Sequence, residues 1–282
     1  MLVVRRLPVV RTGCNGRPIM HREAPMPVPV SPPQVAGILL SVVIPVRNEA
    51  PNIQPLVDEI QTALQGLRYE IVYVDDGSTD DTPARIATAA RANPRLVHHR
   101  HRQSCGQSAA VVTGVRAAQG TWIATLDGDG QNDPADIPRL LAHAREAHEK
   151  TGIPFLIAGY RTTRKDSPAK RIASRLANGI RAWLLRDATP DTGCGLKVFP
   201  RATFLSLPHF DHMHRYLPAL FLRAGGQVVS LPVNHRPRTR GKSNYGTLDR
   251  LWVGIFDLIG VAWLQRRGRR PELEPSPPTD PA

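Results

Sequence analysis

Trp122-Ile123-Ala124-Thr125-Leu126-Asp127-Gly128-Asp129-Gly130-Gln131 runs from a short apolar stretch straight into two acids separated by one glycine. The same order of parts occurs twice upstream. Ile38–Val46 is a buried-type run that ends in Pro45-Val46-Arg47-Asn48-Glu49, and Glu70–Val74 ends in Asp75-Asp76-Gly77-Ser78-Thr79-Asp80. Between these runs, apolar residues recur at helical spacing, as in Ile53, Leu56, Val57, Ile60 and Leu64. Further helices are expected over Asp80–Ala92, Gly106–Ala118 and Pro134–Glu149, with strands at Leu96–Arg100, Trp122–Leu126 and Phe155–Gly159. Strand–helix alternation implies parallel strands joined by right-handed crossovers. In such sheets ligands gather beyond the C-terminal strand ends. The three polar clusters therefore converge on one edge, where scattered acids would only make a solvated surface.

Outside this core the composition changes. Residues 1–36 carry five Arg against one Glu and a series of prolines, and read as an extended leader without a secretory signal. Residues 161–186 read as a basic, amphipathic helical stretch, 226–235 as a strand, 235–246 as a basic loop and 248–264 as an apolar helix. The division expected is a leader (1–36), a catalytic α/β domain (37–235), a basic acceptor loop with an apolar interfacial helix (236–267) and a Pro-rich tail (268–282).

The chain has 282 residues, 41% of them hydrophobic, enough to bury a core. Its net charge of +13 calls for an anionic partner, and most of the excess lies outside the two tails. Nucleic acid is a poor candidate: no RNA- or DNA-binding motif is present, and aromatics for stacking are sparse at 5%. The separated cysteines Cys14, Cys105 and Cys194 fit neither a disulfide framework nor a zinc motif, and a reducing, cytoplasmic setting suits them.

Two carboxylates at i and i+2 after a buried strand can address one divalent cation. Oxygen ligands of that kind suit Mg²⁺ or Mn²⁺, which would neutralise a departing diphosphate. No GxxxxGK[ST] or GxGxxG is present, so P-loop and dinucleotide readings lack support.

Taken in order, SVVIPVRNE, VDDGSTDDT, LDGDGQNDP, GYR, DTGCGLKVF and HRPRTRGKSNYG resemble family 2 glycosyltransferases, in particular the dolichol-phosphate mannose synthase type that makes polyprenyl-phosphate sugars. The likeness spans roughly residues 38–264. It implies a GT-A fold, a mostly parallel Rossmann-like sheet flanked by helices, and transfer of a hexose from a GDP- or UDP-sugar with inversion at the anomeric carbon. By that likeness Asp127, Asp129 and Gln131 would hold the metal. Pro45, Glu49 and Asp76 would hold the nucleotide, with Asp75 and Gln107 as further candidates on the donor side. Arg161, Lys170, Ser174 and Arg238 would meet the lipid phosphate, with Gly241 and Ser243 completing the last motif. Asn244 stands where the family often has Lys. His214-Arg215-Tyr216 also resembles a stretch found in this group.

An acceptor phosphate is already ionised and needs positioning more than a base, whereas a saccharide hydroxyl would need one. Asp191 is the candidate for that base, so its duty depends on the acceptor. Arg161, Lys170, Arg171, Arg175, Arg236, Arg238, Arg240 and Lys242 form two basic groups suited to a phosphate. Transfer to a saccharide hydroxyl remains the alternative, and a non-catalytic nucleotide-sugar binder a third reading. The apolar segment 251–264, interrupted by Asp257 and bracketed by Arg250 and Arg266-Arg267, is too short to span a bilayer. With Trp252 and Trp263 it reads as an interfacial helix at the cytoplasmic face of a membrane, or else as a core helix. The family often appends transmembrane helices at this point. Here a Pro-rich tail follows, which leaves room for an integral membrane partner.

Overall fold

The computed structural model describes residues 37–162, 179, 181–237 and 249–267, the last helix by its backbone alone as far as residue 253. The expectations for the leader, for Lys170, Arg171, Ser174, Arg175, Arg238, Arg240, Lys242 and Ser243, for the side chain of Trp252 and for the tail lie outside the described residues.

Seven strands form one sheet: β1 (Leu40–Val46), β2 (Tyr69–Asp75), β3 (Leu96–Arg100), β4 (Trp122–Thr125), β5 (Phe155–Arg161), β6 (Lys197–Pro200) and β7 (Gln227–Val233), in the order β3-β2-β1-β4-β6-β5-β7. The helices are α1 (Ile53–Ala63), α2 (Thr82–Ala92), α3 (Gln107–Ala117), α4 (Ile137–Thr151), α5 (Arg201–Leu205), α6 (Leu217–Arg223) and α7 (Asp249–Arg267). Residues 181–185 are also helical.

The sheet is covered on both faces, which is why its central strands read as continuous apolar runs. Alternate residues of β1 face opposite layers. Leu40, Val42, Ile44 and Val46 pack with Ile53, Leu56 and Ile60 of α1 and with Leu140, Leu141 and Ala144 of α4. Val43 packs on the other side with Val111 and Val115 of α3 and with Phe204, Leu217 and Leu220. A third, smaller cluster of Leu185, Tyr216, Ala219, Val261 and Ala262 seats α7 over α6.

β1 pairs in parallel with β2 on one side and with β4 on the other, so the chain's direction of travel across the sheet reverses between β1 and β4. A crevice for ligand opens at such a switch point. The loops after these two strands, Arg47–Glu49 and Leu126–Gln131, flank it.

β6 was not anticipated. It runs antiparallel between β4 and β5, pairing Thr125 with Lys197 and Ala158 with Lys197. Its direction matters for the site: because β6 runs backwards, its first residue, and the loop that precedes it, arrive at the C-terminal edge of the parallel strands. β5 also extends further than the expected Gly159. Its pairing with β7 continues to Arg161 opposite Val233, so Arg161 ends a strand where a helical stretch was expected to begin.

Candidate functional site

The expected convergence is realised at the C-terminal edge of β1, β2, β4 and β5. Asp127 lies two residues beyond β4, and its Oδ1 accepts from Gln107 Nε2, on the first residue of α3, at 2.9 Å. Asp129 Oδ1 accepts from the Gln131 amide at 3.1 Å, which shapes the turn. Gln131 Nε2 reaches the Arg236 carbonyl at 3.5 Å, leaving its amide oxygen as the part able to meet a cation.

Burial, and then the charge of Asp129, push the Asp127 carboxyl up to about 6, against the opposing pull of Lys197, Gln107 and Arg161. A buried carboxylate facing a second one is relieved by a cation held between them. The donor set, carboxylates with an amide oxygen, fits a hard divalent ion such as Mg²⁺ or Mn²⁺.

Opposite, Arg161 forks onto Asp191. Its Nε meets Oδ2 at 2.6 Å and its Nη2 meets Oδ1 at 2.9 Å. Asp191 is buried and Arg161 largely so. Gly193 lies against both partners. Two residues on, Gly195 packs on Asp127 so closely that a Cβ there would stand 2.2 Å from its Oδ2. The turn Asp191–Gly195 therefore joins the two acidic groups, and glycine at 195 is required by the close approach.

Lys197, the first residue of β6, is buried, and its ammonium donates to the carbonyls of Thr192, at 3.3 Å, and Cys194. Burial lowers its pKa, against the pull of Cys194, Asp127 and Asp191. Sequence reasoning passed it over; the available signal was a single cation inside the apolar run Leu196–Phe199. With Pro45, Gln107, Asp127, Gly195 and His214, Lys197 lines a cavity of about 20 Å³ beneath the cleft, room for one water. His214 is partly buried there. Its Nδ1 pairs with Ser108 Oγ at 2.7 Å, and burial, then the charge of Lys197, hold its pKa down at about 3.

On the β2 side, Asp75 is fully buried, with Oδ1 accepting from the Ser78 amide at 2.9 Å and Oδ2 in an ion pair with Arg100 at 3.0 Å. Asp76 is ringed by donors. Oδ1 meets His101 Nδ1 at 2.7 Å and the Cys105 amide at 2.8 Å, while Oδ2 meets Ser104 Oγ at 2.8 Å and the Gly106 amide at 2.9 Å. Burial raises its pKa, but the hydrogen bonds from Cys105, His101, Ser104 and Gly106 together bring it below the ordinary carboxylate value. Asp76 thus shapes the turn 101–106. Gly77, at φ +68°, abuts the backbone of that turn. Glu49 is buried, with Oε2 accepting from Asn52 Nδ2 at 2.7 Å. Asp80 lies one residue ahead of Asp81, the N-cap of α2, and its Oδ1 accepts from the Thr82 amide at 3.0 Å.

Of the basic residues assigned to the acceptor, Arg236 is engaged elsewhere. It forks onto Glu59 of α1 at 3.1 and 2.7 Å and donates to the Asn132 carbonyl. It ties the chain after β7 to the loop after β4. Cys194 is buried and its thiol is raised by desolvation, which agrees with the absence of a nucleophilic role.

No helix among the described residues is long and apolar enough to cross a membrane. α7 packs one face on the protein and leaves another exposed. Val261 and Ala262 face the core, while Ile255, Phe256, Ile259 and Trp263 are exposed.

Residues 41–205 match the family described as Glycosyl transferase family 2. A dodecaprenyl-phosphate galacturonate synthase of Rhizobium johnstonii is 32% identical over 84% of this chain and 70% of its own length. An undecaprenyl-phosphate 4-deoxy-4-formamido-L-arabinose transferase of Edwardsiella ictaluri is 32% identical over 78% of this chain and 66% of its own. Among solved structures, glucosyl-3-phosphoglycerate synthase of Mycobacterium tuberculosis with Mn²⁺ and UDP-glucose superposes with a TM-score of 0.55 at 25% identity, covering 82% of this chain and 79% of that one. The same enzyme with Mg²⁺ and UDP gives a TM-score of 0.56 at 21% identity, over 82% and 80%.

Proposed function

The chain belongs to glycosyl transferase family 2, and from that premise we propose that it moves a sugar from a nucleotide-sugar to the phosphate of a polyprenyl lipid at a membrane surface. The observation that carries this reading is the meeting, across the Asp191–Gly195 turn, of Asp127 with the Arg161–Asp191 pair. It puts a place for the donor's diphosphate beside a guanidinium suited to a phosphate acceptor. The two relatives' names, both polyprenyl-phosphate transferases, support the same substrate class.

In this reading Asp127 and Asp129, with Gln131, hold Mg²⁺ or Mn²⁺. The ion supplies charge neutralisation to the nucleoside diphosphate as it leaves. Gln107 and Gly195 fix where the Asp127 carboxylate points. Arg161, pinned by Asp191, orients the acceptor phosphate. One of its oxygens attacks the anomeric carbon from the face opposite the diphosphate, the C–O bond to the diphosphate breaks, and the configuration inverts. The nucleophile is already ionised, so no side chain need remove a proton. Glu49, Pro45 and the turn behind Asp76 line the donor's side. Lys170, Ser174, Arg238 and Ser243 are proposed to complete the acceptor site.

The lipid end of the acceptor gives the exposed face of α7 its role. Ile255, Phe256, Ile259 and Trp263 would rest in the interfacial region of an anionic leaflet, with Arg266 and Arg267 at the end of the helix attracting its headgroups. Cytoplasmic-face placement and an integral membrane partner belong to the same proposal.

A donor screen tests it. Purified protein with Mn²⁺ or Mg²⁺, a polyprenyl phosphate and a panel of UDP- and GDP-sugars is expected to release nucleotide with one donor and to form a lipid-linked sugar. Asp129→Ala should abolish both. Turnover undiminished in excess EDTA would sink the reading. Loss of the protein from anionic vesicles in a flotation assay after Phe256→Glu would support the lipid contact, and equal recovery would remove it.

A further inference from the structure

Among the described residues, one group of three metal-ligating side chains lies close together, and it is not the Asp127–Asp129 pair. Asp76, His101 and Cys105 each offer a ligand atom, all within 4.8 Å of one another. Asp76 follows β2, His101 follows β3, and Cys105 sits two residues before α3. We propose that these three residues form a zinc site distinct from the hard-cation site, and that zinc bound there excludes the donor nucleotide. The exclusion rests on the proposed function, in which Asp76 borders the nucleotide; the site itself does not.

Ligand chemistry separates the two sites. A carboxylate oxygen, an imidazole nitrogen and a thiolate are a mixed set that suits Zn²⁺, whereas Mg²⁺ and Mn²⁺ favour oxygen alone. Three protein ligands leave the fourth tetrahedral position to water, as in open zinc sites. Entry is available, because Cys105 is exposed while Asp76 is buried.

The surroundings are arranged as zinc ligands require. His101 meets Asp76 through Nδ1 at 2.7 Å and Thr113 Oγ1 through Nε2 at 2.9 Å. With Nδ1 on the metal, Nε2–H donates to the Thr113 hydroxyl, the outer contact that fixes a ligating imidazole. The ion takes the place of the proton now shared between Nδ1 and Oδ1. Tetrahedral bonds of about 2.0–2.1 Å ask that these two atoms separate by roughly 0.6 Å. Asp76 keeps its other bonds, to the Cys105 and Gly106 amides and to Ser104. The Cys105 thiol now touches the Gln103 carbonyl at 3.4 Å. The thiol proton passes to solvent as the Zn–S bond forms.

The test uses the full chain stripped of metal. Co²⁺, a spectroscopic stand-in for Zn²⁺, is expected to give a thiolate-to-metal absorption that one equivalent of Zn²⁺ removes. Cys105→Ser and His101→Gln should each lose that absorption and weaken Zn²⁺ binding, followed by calorimetry, by roughly 10-fold or more. Asp127→Ala should keep both. UDP and GDP are each added, and at least one should raise the Kd for Zn²⁺ after correction for its own chelation of the ion. Absence of the absorption from the parent protein, or its survival in Cys105→Ser, would overturn the site. Zinc affinity indifferent to the nucleotide would overturn the exclusion alone. Because no arm uses sugar transfer, a failed site and a failed functional reading give different results.

Discussion

The two sides of the cleft are held by different kinds of bond. On the donor side, main-chain amides share the holding with side chains: Ser78 donates to Asp75, Cys105 and Gly106 to Asp76, and Gln131 to Asp129. On the acceptor side the restraints come from charged side chains. Arg161 forks onto Asp191, Arg236 onto Glu59, and the Lys197 ammonium gathers the carbonyls of the Asp191–Gly195 turn. Backbone donors are fixed by the fold and survive conservative substitution around them. A forked pair depends on both charges, and removing one leaves the other buried and unmatched. The donor side should therefore yield to steric insult and the acceptor side to loss of charge.

Gly195→Ala applies the steric insult where the two sides touch, and the largest effect is expected there. Its Cβ would occupy the place of the Asp127 carboxylate. Metal affinity is expected to fall by roughly 10- to 100-fold, read as the Mn²⁺ concentration for half-maximal turnover, with the far-UV spectrum retained. An unchanged Mn²⁺ requirement would mean that Gly195 does not lie against the metal site.

Asp191→Asn applies the loss of charge. Arg161 keeps an acceptor but loses its counter-charge, and the acceptor KM should rise by roughly 10- to 100-fold with a smaller change in kcat. If the acceptor were instead a saccharide hydroxyl and Asp191 its base, kcat would fall by about 10²–10⁴ with little change in acceptor KM. The split between the two constants decides the acceptor class, which the shared position of Asp191 and Arg161 does not do alone.

The same contrast governs what could be read before the structure. β1, β2 and β4 announce themselves as apolar runs closed by acids, and the elements around them follow within a residue or two of expectation. The site at their ends is a local feature: Asp75 ends β2, Asp76 follows it, and Asp127 and Asp129 lie two and four residues beyond β4. β6 escaped because four residues, Lys-Val-Phe-Pro from 197 to 200, are too few to show alternation, and a lysine heads them. Without β6, nothing shows that the turn Asp191–Gly195 returns to Asp127 or that Lys197 is buried beside it. Arg236 failed differently. Counted among cations for the acceptor, it is paired with Glu59, 177 positions away, a contact that no spacing rule reaches. His214 was legible through the resemblance of His214-Arg215-Tyr216 to a stretch found in this group, but its contact with Ser108 of α3 depends on how the chain packs there.

His214 carries the smallest of the expected effects and confines it to acid. Its pKa in the folded chain is depressed to about 3 from the ordinary 6.5, first by burial and then by Lys197, Arg215 and His212. The unfolded chain therefore binds a proton more readily than the folded one across that interval. The stability that neutral His214 contributes is fully present above pH 6.5 and is lost as pH falls toward 3, on the order of a few kcal/mol over the whole window. At neutral pH its titration contributes nothing. His214→Gln, which can keep a hydrogen bond to Ser108 but cannot take up a proton, should therefore flatten the acid limb of a denaturant-midpoint profile between pH 6.5 and 3. It should leave the limb above pH 7 parallel to that of the parent. The carboxylates titrate in part of the same window, and they remain in both proteins, so the difference between the two profiles isolates the imidazole. Coincident slopes from pH 6.5 to 3 would place His214 in contact with water, and the cavity floor beneath Asp127 would then be open on the side of α3 and α6.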